Sequence, residues 1–360
     1  MNIYNYIDKY GMKTFEEYPF NEVDAVLFSF LSYVDYEDIF ENNKILLKDV
    51  GRIHFGLHNK KERNVIAVKD ATDLLMYIKD TKRYQNCYLY NYVYDISNDI
   101  QFSVIAIEYQ KNKVYISYEG TNALISGWKE NFILSYEYPT DSHKKAIEYL
   151  NKNYTFSNKE LIIGGHSKGG NLALVASMNA NLLVRLKIKK IYNIDGPGLL
   201  EKQFLSYKFK RVLPKYEQII PNESIVGIIL NNKNTKVIKS SISGPLAHDI
   251  IYWTIKDGRF IPTELSNYSK VLSDAIDNYA NQYKPEELKK AISDIYNLLV
   301  NCNIIEVNDF KNIKKIKKLI EKSNELDNNS RTILLNLIKM MIDSLGISIK
   351  IKFKEILKIL

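Results

Sequence analysis

Cysteine is almost missing from this 360-residue chain: Cys87 and Cys302 are the only two. They form no C-x-x-C pair, which argues against a disulfide framework or a zinc site and fits a reducing compartment. Histidine is also scarce, with five in all, at positions 54, 58, 143, 166 and 248. His54 and His58 have helical i, i+4 spacing, but no third ligand accompanies them. They read as structural or exposed, and neither a metal nor an organic cofactor is expected. No run of eighteen uncharged apolar residues occurs, so no membrane-spanning helix is expected. The opening stretch MNIYNYIDKYGMKTFEEY lacks the basic segment and apolar core of a secretory signal, and cytoplasmic localisation is the expectation.

Hydrophobic residues at 46% and charged residues at 26% suffice for a sizeable core. The length exceeds the roughly 250–300 residues at which one core stops growing. The net charge of +8 comes from lysines spread along most of the chain among Asn, Ile and Tyr. That dispersion reads as background composition, and no nucleic-acid partner is expected.

Helical and strand patterns alternate over the first two thirds. PFNEVDAVLFSFLSY has Asn21 as N-cap with Asp24 three residues on, a capping-box-like start to a helix apolar on most sides. A second helix is expected in DATDLLMYIKDTKRY. QFSVIAIEYQ and VYISYEGT, joined by KNK, read as a strand pair. TDSHKKAIEYLNKNY reads as a helix capped by Asp141 or Ser142. ELIIGG is a short apolar strand, GNLALVASMNANLL a helix and KIKKIYNI the next strand. Strand, helix, strand in that order implies a parallel sheet buried on both faces, and the fold class is α/β. From about residue 263 only helical spacing remains, in LSNYSKVLSDAIDNYA, KPEELKKAISDIYNLLV (with Pro285 at its N1 position), FKNIKKIKKLIEK and SRTILLNLIKMMIDSL. The expected division is an α/β domain over 1–262 and a helical region over 263–360.

Gly165, Ser167 and Gly169 form a G-x-S-x-G pattern at the join between the apolar strand and the alanine-rich helix. In a nucleophile elbow the serine occupies a strained turn, and side chains two residues to either side would collide with neighbouring strand and helix. A serine hydroxyl needs a base, and the base needs a carboxylate to orient it. His248, in the Gly-Pro loop of SGPLAHDIIYW, is the sole histidine after the elbow. The ring of His166, inside the elbow, is expected to point away from the base's position. For the carboxylate, Asp195 in IYNIDGPGLL follows the next strand directly, with Glu223 in IIPNESIVGIIL as the alternative acid. Asp249, beside His248, is poorly placed to bond its ring. The oxyanion requires two donors. The backbone N–H of Lys168 is one candidate, and Thr121 in the strand-end loop YEGTNALISGWKENF is the other.

GHSKGGNLA resembles the G-H-S-x-G-G-x-x-A elbow of the class 3, fungal-type lipases, and YEGTN followed by GWKENF resembles their R-G-T and W-x-x-D segments. A bacterial branch of lipase-like proteins is similar more fully, through PFNEVDAVLFSFLSYVDY, YNIDGPGL, IIPNESIVGIIL and AHDIIYW, over roughly residues 3–255. The resemblance implies an α/β-hydrolase fold with a serine triad. Two departures stand out. Glu223 and Ser224 replace the aspartate usual in class 3 lipases, while IYNIDGPGL resembles the I-x-x-L-D-P segment of pancreatic-type lipases and so favours Asp195. Glu119 stands where an arginine is common.

The function expected from these residues is hydrolysis of carboxylic esters, of lipid or acyl type, by Ser167, His248 and Asp195. A non-catalytic scaffold of the same fold, or an acyltransferase or thioesterase with the same triad, are the alternatives. ALISGWKENFILSYEYP is aromatic-rich and reads as a wall of the acyl pocket or a lid. FKNIKKIKKLIEK and ISIKIKFKEILKIL are basic and amphipathic, a solvated face of a helical layer or, alternatively, a peripheral contact with anionic membranes. No oligomeric state can be read from the sequence.

Overall fold

The computed structural model describes residues 1–40, 43–58, 66–96, 100–121, 129, 133–270, 273, 284–305, 309–310 and 312–344. Eight strands form one sheet whose spatial order follows the chain: β1 (Ile45–Leu46), β2 (Tyr88–Ile96), β3 (Gln101–Gln110), β4 (Lys113–Tyr118), β5 (Glu160–His166), β6 (Ile188–Ile194), β7 (Tyr216–Pro221) and β8 (Thr235–Ile238). Pairing is antiparallel from β1 to β4 and parallel from β4 to β8. Gln110 pairs with Lys113 across a two-residue turn in which Asn112 has φ 63°. Asparagine tolerates that left-handed conformation, and its backbone twist matches a hairpin.

Helices cover both faces of the sheet. They are α1 (Ile3–Tyr10), α2 (Glu22–Leu31), α3 (Leu47–His58), α4 (Ile66–Ile78), α5 (Asp141–Tyr154), α6 (Lys168–Asn179), α7 (Leu182–Lys187) and α8 (Tyr207–Val212). Alternate residues of β3 feed two cores. Ile105 and Ile107 pack with α1, α2 and α4 on one side. Val104 and Ala106 pack with α5 and α6 on the other. A period of two with both sets apolar is the signature of a sheet buried on both faces.

All ten residues of α2 are buried, and Asn21 and Asp24 close the capping box read from the sequence. The cap of α5 differs from expectation. It is Thr140, whose hydroxyl accepts from the His143 N–H at 3.3 Å, while His143 Nδ1 accepts from the Thr140 N–H at 3.0 Å. Asp141 and Ser142 lie inside the helix. Ser142 is buried and donates to the Gln101 carbonyl instead. The helix expected through GNLALVASMNANLL is two helices, because Ala180 turns extended (ψ 153°) and Asn181 caps α7 anew. Arg185 and Arg211 donate to the carbonyls of Ala180 (2.5 Å) and Met178 (3.0 Å), satisfying the C-terminal end of α6.

Beyond the sheet come α9 (Pro285–Asn301), with Pro285 at N1, α10 (Ile313–Lys322) and α11 (Asn328–Ser344). They enclose a separate apolar cluster that includes Leu298, Leu299, Ile316, Leu319 and Leu334. The apolar side of the basic α10 is therefore used for packing. Most of LSNYSKVLSDAIDNYA, and all of ISIKIKFKEILKIL, lie outside the described residues. Cys87 and Cys302 are buried free thiols. His54 is buried on α3. Among the described residues no helix is long and apolar enough to cross a membrane.

Candidate active site

β5 ends at His166 and α6 begins at Lys168, so Ser167 alone makes the turn. Its φ of 57° and ψ of −132° lie where a residue with a side chain is strained. The strain is held from both sides: the Ser167 N–H donates to the Ile194 carbonyl at 2.8 Å, and the Ser167 carbonyl accepts from the Gly170 N–H at 2.9 Å. The flanking glycines are required sterically. A Cβ on Gly165 would lie 2.4 Å from the Gly169 carbonyl carbon, and one on Gly169 would lie 2.1 Å from the Tyr118 carbonyl oxygen. The strand, the helix and the neighbouring β4 come that close only without side chains. Ser167 thus stands at the N-terminal, positive end of α6.

Asp195 follows β6, is fully buried and has φ 44°. Its N–H donates to the Ile219 carbonyl at 2.8 Å, which ties it to β7. Each carboxylate oxygen has its own task. Oδ1 accepts from Ser224 Oγ at 2.5 Å and from the Gly227 N–H at 3.1 Å. Oδ2 faces His248 Nδ1 at 2.7 Å. His248 ends a short 3₁₀ turn, Pro245–His248, that Trp253 steadies by donating Nε1–H to the Ala247 carbonyl at 2.8 Å. Glu223 is turned elsewhere, with Oε2 3.4 Å from the Gly244 nitrogen and Oε1 3.4 Å from Asn222 Nδ2.

Asp249 uses Oδ1 to accept from the Ile251 N–H at 3.1 Å. Burial, reinforced by Asp70, pushes its carboxyl up to about 6. A carboxyl whose folded pKa is raised contributes stability below its unfolded pKa and loses it as pH rises through the folded value. The folded protein therefore carries an unfavourable charge here above about pH 6. Asp249→Asn keeps an acceptor for Ile251 and should raise the unfolding free energy by about 3 kcal/mol at pH 8. At pH 3, below the unfolded value, it should change little. Equal effects at both values in urea titrations would refute the assignment.

The expectation that the His166 ring points away does not hold. The rings of His166 and His248 are 4.4 Å apart, and His166 Nε2 lies 3.0 Å from the His248 carbonyl oxygen. The ring is buried, and burial first, then the charge of His248, holds it well below the usual histidine range, so it is neutral. Ser167's turn leaves the preceding residue under the base loop, which the pattern G-H-S does not reveal. Lys168 offers the N–H next after Ser167, and its side chain is buried, with Nζ donating to the Gln101 carbonyl at 2.7 Å. Gly120 lies against the elbow: a Cβ there would be 3.0 Å from Ser167 Cβ. Thr121 follows, half-buried, and Glu119 before it is buried. Most of the proposed pocket wall, ALISGWKENFILSYEYP, lies outside the described residues.

A mostly parallel sheet with a strained serine between strand and helix, and a buried carboxylate holding a later histidine, defines a lipase-like α/β-hydrolase fold. The chain belongs to the Mbeg1-like family, a lipase-like family whose model matches residues 78–297, the stretch that holds Ser167, Asp195 and His248. Among solved structures, "Crystal structure of M37 lipase" aligns at 16% identity over 71% of this chain and 80% of that one, with a TM-score of 0.38. No curated protein matches the chain.

Proposed function

We propose that this protein is a cytoplasmic serine hydrolase of carboxylic esters, lipid or acyl esters in particular, working through an acyl-enzyme. The observation that carries the reading is the 2.7 Å pair between His248 Nδ1 and a fully buried Asp195, set one strand over from the strained Ser167. With Nδ1–H held by Asp195, Nε2 is the nitrogen left to accept a proton. Ser167 Oγ attacks the ester carbonyl carbon while its proton passes to His248 Nε2. The C–O double-bond electrons move to oxygen, where the N–H groups of Lys168 and Thr121 stabilise the charge. The carbonyl re-forms as the ester C–O bond breaks, and His248 returns the proton to the departing alcohol. Water then repeats the sequence on the acyl-enzyme and releases the acid. No step calls on a metal or organic cofactor. The lipid and acyl preference rests on the lipase-like character of the family, and the two free thiols support a reducing compartment.

The test is reaction with a fluorophosphonate followed by peptide mapping, alongside hydrolysis of p-nitrophenyl esters of graded chain length. One phosphonyl adduct on Ser167, with ester turnover, is expected. A folded protein that takes no adduct, or takes it elsewhere, would overturn the reading in favour of a non-catalytic scaffold.

A further inference from the structure

The Tyr33 side chain, at the end of the N-terminal helical segment, is fully buried and touches both halves of the proposed site. Its oxygen lies 2.9 Å from His166 Nδ1 and abuts Gly120. The proton positions follow from the partners. The His248 carbonyl can only accept, so His166 Nε2 carries the hydrogen. His166 is neutral, so its Nδ1 has a lone pair and must accept. Burial first, then Glu119, holds the Tyr33 phenol well above its ordinary range, so it keeps its proton and gives it to Nδ1.

Gly120, packed against the Tyr33 hydroxyl, is fastened from its other side. Its carbonyl accepts from Gln101 Nε2 at 3.0 Å. In a trans peptide the next N–H, that of Thr121, points opposite to that carbonyl. Fixing the Gly120 carbonyl, with the Tyr33 hydroxyl packed against the residue, therefore fixes the direction of the proposed oxyanion donor. There is no room for a substitute at this position. A Cβ on Gly120 would lie 2.0 Å from the Tyr33 oxygen and 2.5 Å from the His166 carbonyl.

We infer that the Tyr33 hydroxyl is a positioning group that locks the oxyanion loop and the base loop in register around Ser167, through Gly120 on one side and His166 on the other. The inference rests on the proposed hydrolase reading. Tyr33 touches neither substrate nor reacting atoms; it acts through the Thr121 donor and through the tautomer of His166, whose Nε2–H holds the His248 backbone. The contact joins segments 133 residues apart.

The experiment compares Tyr33→Phe with wild type in ester turnover, in binding of a trifluoromethyl ketone that forms a tetrahedral adduct, and in thermal unfolding. Tyr36→Phe serves as control, since it removes another buried hydroxyl, one that donates to the Leu31 carbonyl at 2.9 Å. Tyr33→Phe should lower kcat on the order of 10²-fold with KM unchanged, and weaken the ketone about as much. Tyr36→Phe should leave both unchanged. A second pair is independent of the tyrosine variant's folding. His166→Gln, whose amide can still donate to the His248 carbonyl, should keep most of kcat, whereas His166→Ala should lose as much as Tyr33→Phe. A folded Tyr33→Phe with wild-type kcat, or His166→Gln and His166→Ala equally impaired, would overturn the positioning role while leaving the hydrolase reading intact. Absence of turnover and of a Ser167 adduct in wild type would instead remove the hydrolase reading and this inference with it.

Discussion

Asp195→Asn is expected to lower kcat for ester hydrolysis by about 10⁴-fold with the fold retained. The direction follows from the partners of the carboxylate. Ser224 Oγ and the Gly227 N–H both donate to Oδ1, so the amide of an asparagine would be oriented with its oxygen there. Its NH₂ group would then stand where Oδ2 now faces His248 Nδ1 at 2.7 Å. Two donors cannot share that contact, so Nδ1 would give up its hydrogen and Nε2 would take one. A protonated Nε2 cannot accept the Ser167 proton, and the rate falls without loss of a single packing contact. Glu223→Gln, whose carboxylate meets only Gly244 and Asn222 among the described residues, should stay within a few-fold of wild type. Steady-state turnover and the rate of fluorophosphonate labelling check both. Equal losses in the two variants, or a larger loss at Glu223, would reverse the choice of acid.

Truncating Arg83 should produce the largest loss of stability, about 3–5 kcal/mol for Arg83→Leu. The guanidinium and the Asp24 carboxylate are both fully buried and meet in a two-point contact, Nε to Oδ1 at 2.8 Å and Nη2 to Oδ2 at 2.6 Å. Asp24 also accepts from the Tyr84 hydroxyl at 2.7 Å and from the Asn21 N–H at 2.9 Å, where it caps α2. Arg83 stacks on Phe15 at 4.1 Å and donates to the Tyr18 carbonyl at 2.7 Å. Removing the cation strands a carboxylate in the core, and that desolvation cost exceeds the worth of the pair itself. Adding Asp24→Asn to Arg83→Leu should therefore recover part of the loss, because the amide keeps the cap and sheds the charge. Urea unfolding of the two variants measures this. A single-variant loss below about 1 kcal/mol would mean that water reaches the pair.

The legible parts of the molecule were those written in short intervals. The capping box of α2 needs only Asn21 and Asp24, three residues apart, and the elbow needs glycines two residues from Ser167. The order of strands and crossover helices came from apolar runs of 4 to 8 residues between polar turns, a pattern that follows from backbone geometry. The cap of α5 and the break after Asn179 were misplaced because several residues there can cap a helix, and contacts to distant groups decide among them. Ser142 is drawn to the Gln101 carbonyl, and Arg185 and Arg211 reward an early end to α6.

What the sequence determined by itself was a sheet buried on both faces, the strained turn at Ser167, and a short list of candidates: one histidine after the elbow and two carboxylates to hold it. The tertiary structure put Asp195, rather than Glu223, against His248, brought Ser224 and Gly227 to that carboxylate, set His166 beneath His248, and placed the Tyr33 hydroxyl between His166 and Gly120. The physical reason is range. Steric and propensity effects act over a few residues and leave their mark in local pattern. A hydrogen bond between groups 53 or 133 residues apart exists only because packing carries them to within 3 Å of each other.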